Sequence, residues 1–175
     1  MAKKSKDAGK ALSGSLDRSP SHLFHRVLQI ALDVYAEETG PDGLTQRQFA
    51  VLSCVALNEG LTQTDLVRAT GIDRSTLADL VARMIGKGYL ARERSAVDAR
   101  ANTVTLTDRG REALDAARPK VEAADRRILA LLPGSKRDGF LKVLADMARA
   151  GEAARSAAEA GETGEGAPGK KKKKD

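Results

Sequence analysis

Little in this chain could build a covalent or catalytic framework. It holds one cysteine, Cys54, in 175 residues, so no disulfide can close within it, and a reducing cytosol is the expected setting. Long hydrophobic runs are missing. The most apolar stretch, residues 50–57, is interrupted by Ser53 and is far too short to cross a bilayer. The basic start leads into polar residues rather than an apolar segment, so neither a secretory leader nor a membrane partner is expected. There is no Gly-rich phosphate loop, no metal-protease motif and no nucleophile elbow. These absences lead to the expectation of a soluble, cytoplasmic protein that is not an enzyme and carries no cofactor.

Charge is informative only once it is located. The net charge is +6, but residues 1–20 and 151–175 supply most of it, with a lysine run at 170–174. Those segments are rich in Lys, Ser, Gly, Ala and Glu, have almost nothing apolar to bury, and are expected to be disordered tails. The lysine run could add salt-sensitive affinity for nucleic acid or serve only solubility. Inside the remaining domain, residues 74–111 hold eight basic side chains against four acidic ones. A local excess of that kind is what a phosphate-facing surface needs, although an ordinary solvated face can carry it too.

Periodicity predicts the organisation. Leu23, Val27, Ile30 and Val34, with Phe24, Leu28, Ala31 and Tyr35 beside them, form a double apolar stripe on a helix over 21–39. A stripe so wide calls for burial against more than one partner. Three further helices, over 46–58, 63–70 and 74–87, each start with the same device. Thr45 with Gln48 and Thr62 with Asp65 are capping boxes, and Asp73 caps the third. Leu44/Phe49, Leu61/Leu66 and Ile72/Leu77 are the matching hydrophobic staples. Only Thr70-Gly71-Ile72 separates the last two helices, which makes them a helix-turn-helix. Residues 89–94 and 102–107 then read as strands around the polar turn 95–101, a hairpin wing. Thr107 caps a long helix that Pro119 should kink or break. After Leu132-Pro133-Gly134, Ser135 is expected to cap a last helix with Phe140, Leu144 and Met147 on its apolar face.

Thr64-Asp65-Leu66-Val67, Gly71-Ile72-Asp73-Arg74-Ser75-Thr76-Leu77, Asp98-Ala99-Arg100 and Val104-Thr105-Leu106-Thr107-Asp108-Arg109-Gly110 together resemble the MarR family of bacterial regulators, over about residues 21–150. The resemblance implies a mainly α fold with a small β-hairpin wing: a winged helix-turn-helix with terminal dimerisation helices. The domain would span 19–150, between tails at 1–18 and 151–175. Its DNA-binding lobe would cover about 44–107, and its dimerisation helices about 20–39 and 108–150. It further implies a homodimer on double-stranded DNA with a pseudo-palindromic operator, acting as a repressor that a small molecule releases. Residues 41–49 also resemble the subgroup controlling aromatic-acid degradation, some members of which sense hydroxycinnamoyl-CoA thioesters.

Residue chemistry then supplies candidate sites. In helix 74–87 the apolar stripe Leu77, Leu80, Val81 and Met84 leaves Arg74, Ser75, Ala78, Asp79, Ala82 and Arg83 opposite, with Thr76 at the border. Arg74 and Arg83 can pair with guanine, Asp79 can accept from cytosine, and Ser75 or Thr76 can bond phosphate or a base edge. Arg100 at the wing tip suits a narrow minor groove, Asp98 can hold that arginine or the turn, and Arg94 suits phosphate. An aromatic acid or its CoA thioester as effector would find polar partners in His22, His25, Arg26, Gln29 and Tyr35, beside Phe49. The same helix residues could equally be surface or dimer contacts. Cys54 and the His22/His25 pair leave open an oxidant- or metal-responsive regulator, and the lysine run a low-specificity structural DNA-binding protein. The apolar run around Cys54 favours a core filler, and nothing local completes a metal set around the histidines.

Overall fold

The structure is a computed structural model describing residues 16–58, 60–94 and 102–162. The chain divides into two units, Met1–Leu131 and Leu132–Asp175. In the first, α1 (Pro20–Thr39), α2 (Gln46–Leu57), β1 (Leu61–Thr62), α3 (Gln63–Thr70), α4 (Arg74–Gly86), β2 (Leu90–Arg94), β3 (Asn102–Leu106) and α5 (Asp108–Ala130) follow in order. The second holds a 3₁₀ turn (Gly134–Lys136) and α6 (Arg137–Glu162).

Local chemistry starts each helix where expected. The Thr45 and Thr62 capping boxes are both complete, and the Asp73 carboxylate accepts the Thr76 backbone N–H at 2.9 Å. Pro20 opens α1, and Gly40, at φ 77°, closes it. The staple residues follow their helices inward: Leu66 and Leu77 are fully buried, Leu44 nearly so, with Phe49, Leu61 and Ile72 packed against the same core. That core gathers α2, α3, α4, the strands and the start of α5 around Leu52, Leu66, Leu77, Met84, Leu90 and Leu114. Cys54 packs at its edge, where burial pushes the thiol pKa up.

The sheet departs from a simple hairpin. Its order is β1-β3-β2, all antiparallel, with Leu61 opposite Val104 and Leu90 opposite Leu106. Thr107 fastens the base of the wing to α5. Its hydroxyl accepts the Gly110 N–H and lies within hydrogen-bonding distance of the Gly88 and Tyr89 carbonyls, at 2.6 and 3.1 Å.

Three expectations need correcting. Pro119 does not break α5, which is one helix of 23 residues. Pro119 is exposed, so the carbonyl its ring leaves without a donor can be solvated. Leu114, Ala117, Val121 and Ala124, buried on both sides of it, hold the helix together against a cost of about 3 kcal/mol. Ser135 does not cap α6; it lies inside the 3₁₀ turn, which makes no side-chain cap bond. The segment expected to be disordered from 151 is helical as far as Glu162. Ala153, Ala154, Ala157, Ala158 and Ala160, among Arg and Glu, have the intrinsic propensity to continue a helix that is already nucleated.

Candidate nucleic-acid interface

Gly71 makes the turn between α3 and α4, at φ 67° in the left-handed region where glycine costs nothing. Behind that turn Asp73 sets the first turn of α4. Its carboxylate accepts from the Thr76 backbone at 2.9 Å and from the Ser75 hydroxyl at 2.8 Å, and these bonds pull its pKa down to about 2. Asp73 is therefore an anion at any physiological pH. Ser75 has its proton committed to that anion, so its oxygen is left as an acceptor.

The burial of α4 splits along its length. Leu77, Val81 and Met84 are inaccessible and Leu80 nearly so, while Arg74, Ser75, Asp79, Ala82 and Arg83 are exposed, with Thr76 and Ala78 at the boundary. Arg74, Asp79 and Arg83 form no ion pair with another described residue. An exposed face of guanidinium and carboxylate groups between two alanines is free to dock on an edge-patterned polar surface. Arg94 ends β2, and Asp98 and Arg100 lie outside the described residues.

Beside the start of α4 is a cleft of about 440 Å³, lined by Gln46, Arg47 and Ala50 of α2 and by the turn from Thr70 to Asp73. Arg47 is exposed there, at the same end as Arg74 and Ser75. Sequence reasoning did not single out Arg47, because it comes close to the start of α4 only through the packing of α2. The signal available was its place in the first turn of a capped helix.

The six effector candidates do not converge. His25, Arg26 and Gln29 are exposed on α1 and His22 is half-buried, whereas Tyr35 and Phe49 pack with Val34, Val121 and Ala124 between α1 and α5. The Tyr35 hydroxyl is buried with no partner among the described residues. Burial, reinforced by the nearby Asp125 carboxylate, raises its pKa to about 12. Further along, Arg127 joins Glu37 and Glu38, each at 2.7 Å, and so ties α5 to the end of α1. No described His, Cys, Asp or Glu side chains gather in a group of three that could hold a metal, and no described helix is long and apolar enough to cross a membrane.

A family model described as the MarR family matches residues 42–101, which span the lobe just described. The transcriptional regulator HosA of Escherichia coli O111:H- is 34% identical over 129 residues, covering 73% of this chain and 95% of HosA. The chain belongs to the MarR family. It is a DNA-binding transcription regulator of the winged helix-turn-helix class, not an enzyme. Among solved structures, the repressor CouR bound to a 23-mer DNA duplex superposes with a TM-score of 0.71 at 30% identity, over 78% of this regulator and 96% of CouR. CouR from Rhodococcus jostii RHA1 is also known bound to p-coumaroyl-CoA. BpsR of Bordetella bronchiseptica, whose DNA binding 6-hydroxynicotinic acid regulates, superposes at 0.71 with 26% identity, over 74% of this regulator and 93% of BpsR.

Proposed function

We propose that this regulator is a cytoplasmic, homodimeric repressor that reads a pseudo-palindromic operator through α4 and its wing, and that a small aromatic acid or its CoA thioester releases it. The split face of α4 carries the reading. Its inner stripe is fully used by the core, and the exposed Arg74, Asp79 and Arg83 form no ion pair with a described residue. In a major groove, Arg74 and Arg83 donate to guanine, Asp79 accepts from cytosine, and Ala78 and Ala82 allow close approach. Ser75, left as an acceptor, suits an amino group on a base edge better than a phosphate. Arg47, Arg94 and Thr76 are assigned to the backbone, and Arg100 and Asp98 to a minor-groove contact at the wing tip.

Dimerisation is supported by apolar surface left open. On α1, Leu23, Phe24, Val27, Leu28 and Ile30 are exposed, and on α6 so are Leu141, Val143, Leu144 and Met147. Neither set would stay in water without cost, and a second copy offers the same sets by two-fold symmetry. Ligand control is supported by the kinship with CouR and BpsR and by the orphaned hydroxyl of Tyr35, a polar group that demands a partner.

The decisive test titrates the full chain against its operator and a scrambled duplex at fixed salt. A specific reader binds the operator about 10³–10⁷ times more tightly, whereas a structural DNA-binding protein shows no such ratio. Adding p-coumarate, benzoate or their CoA thioesters to the complex should release the operator beyond what free CoA does. Free CoA is the control because a polyanion competes for any basic surface.

A further inference from the structure

We propose that Ser75 and Asp79 form an acceptor pair on α4 that reads two exocyclic amino groups, of adenine or cytosine, in each operator half-site, so that methylation of either amino group weakens binding. The proposal rests on the operator-reading role of α4 given above and adds to it a chemical signal carried by the DNA.

The exposed face of α4 sorts its hydrogen-bonding groups by kind. Arg74 and Arg83, toward its two ends, can only donate. Ser75 and Asp79, between them, can only accept. The Ser75 hydroxyl donates its one proton to the Asp73 carboxylate at 2.8 Å, and that carboxylate also accepts the Thr76 backbone N–H at 2.9 Å. Asp79 is an exposed carboxylate, and Arg83, one helical turn further on, forms no ion pair with it.

Neither acceptor suits a phosphate. A helix N-terminus ordinarily attracts one, but at α4 the Asp73 anion already holds that place and repels another. In the major groove guanine offers N7 and O6, and thymine offers O4, all acceptors; only the cytosine N4 and adenine N6 amino groups donate. An acceptor on the protein therefore selects those two bases. Spacing agrees with this. Side chains at positions 75 and 79 share one helix face with β-carbons about 5–6 Å apart. Stacked bases lie about 3.4 Å apart along a strand, so the pair addresses bases one or two steps apart.

Each amino group has two hydrogens, and base pairing uses one. A methylated amino group keeps its base pair only by turning the methyl into the major groove, where it replaces the hydrogen that Ser75 or Asp79 needs. The acceptor then loses its hydration without gaining a bond.

The test uses the full-length regulator and a duplex that it enriches from a randomised library. Each adenine or cytosine of the half-site is replaced in turn by N6-methyladenine or N4-methylcytosine, and affinity is measured at fixed salt. Two positions per half-site should each lose about tenfold or more, and the base that responds tells adenine from cytosine. Purine in place of the adenine, or pyrimidin-2-one in place of the cytosine, should cause the same loss, because each lacks the amino group and adds no bulk. Ser75→Ala should remove the sensitivity at one position and Asp79→Ala at the other, while Ser75→Thr should keep it. Asp73→Ala frees the Ser75 proton, so guanine or thymine should become acceptable at the Ser75 position. Asp73→Asn, whose carboxamide oxygen still accepts, should restore the preference, which a weakened helix cap alone would not alter. If no methylated base weakens binding by the parent, or if methylation acts and the amino-free bases do not, the assignment is overturned while operator reading stands. Sensitivity that survives in both Ser75→Ala and Asp79→Ala overturns it too. If the regulator enriches no sequence at all, the operator-reading role falls with it.

Discussion

Helices α1 and α4 are both amphipathic, yet they treat their apolar faces in opposite ways. In α4 every stripe residue finds its place within the chain, and Leu77, Val81 and Met84 retain no accessible surface. In α1 the stripe from Leu23 to Ile30 stays about half exposed, and only Tyr35 and Thr39 at its far end are buried. The lesson is that the lobe closes its own core, while α1 leaves its stripe uncovered, the surface that the proposed dimer would use. Recognition and assembly thus rest on different kinds of burial and should fail in different ways.

The largest effect expected is loss of assembly. Leu28→Glu or Leu144→Glu would place an unpaired charge in the proposed seam. Sedimentation should then show monomer, and operator affinity should fall toward the non-specific level, by 10³ or more. The lobe should still melt as a folded unit; a dimer that survives both changes would break the comparison. Next comes the interior of the lobe, where Leu77→Ala should cost about 2–5 kcal/mol in denaturant unfolding through the cavity it leaves. Arg83→Ala should leave stability alone and cost about 1–3 kcal/mol on the operator, with much less on random DNA. Equal losses on both would reassign it to phosphate. Arg47→Ala should weaken both duplexes alike and lower the salt slope of binding by about one.

The smallest effect is the pH dependence of the α4 cap. Asp73 titrates near 2 when folded, against about 3.9 in an unfolded chain. Its contribution is therefore complete above about pH 4 and disappears as the pH falls through 2. Asp73→Asn should flatten that part of the acid unfolding curve, and an unchanged curve would mean that the cap does not stabilise the lobe.

Legibility in the sequence followed the range of the interactions. Caps at Thr45, Thr62, Asp73 and Thr107 are settled within three residues, so all four could be read before any fold was known. Strand β1 could not: two residues long, it exists only because Leu61 and Thr62 meet Val104 and Thr103, some forty residues away. The continuity of α5 through Pro119 was hidden for a related reason, since the residues that hold the helix together across it owe their stabilising power to packing. The α4 face was legible because a 3.6-residue period predicts which side is buried. How the effector candidates His25, Arg26 and Gln29 sit relative to Tyr35 and Phe49 was not legible, because that depends on how α1 packs against α5. Lys120 and Tyr89 come together only through the approach of α5 to the wing root.

That approach has a mechanical consequence. A β-carbon on Gly110 would lie 2.0 Å from the Tyr89 carbonyl oxygen, so the two backbones are in direct contact with no side chain between them to cushion a movement. With Thr107 bonded at the same spot, a displacement of α5 here has to be taken up by the wing root, like a key seated in its lock. Any side chain at position 110, even alanine, would jam the joint.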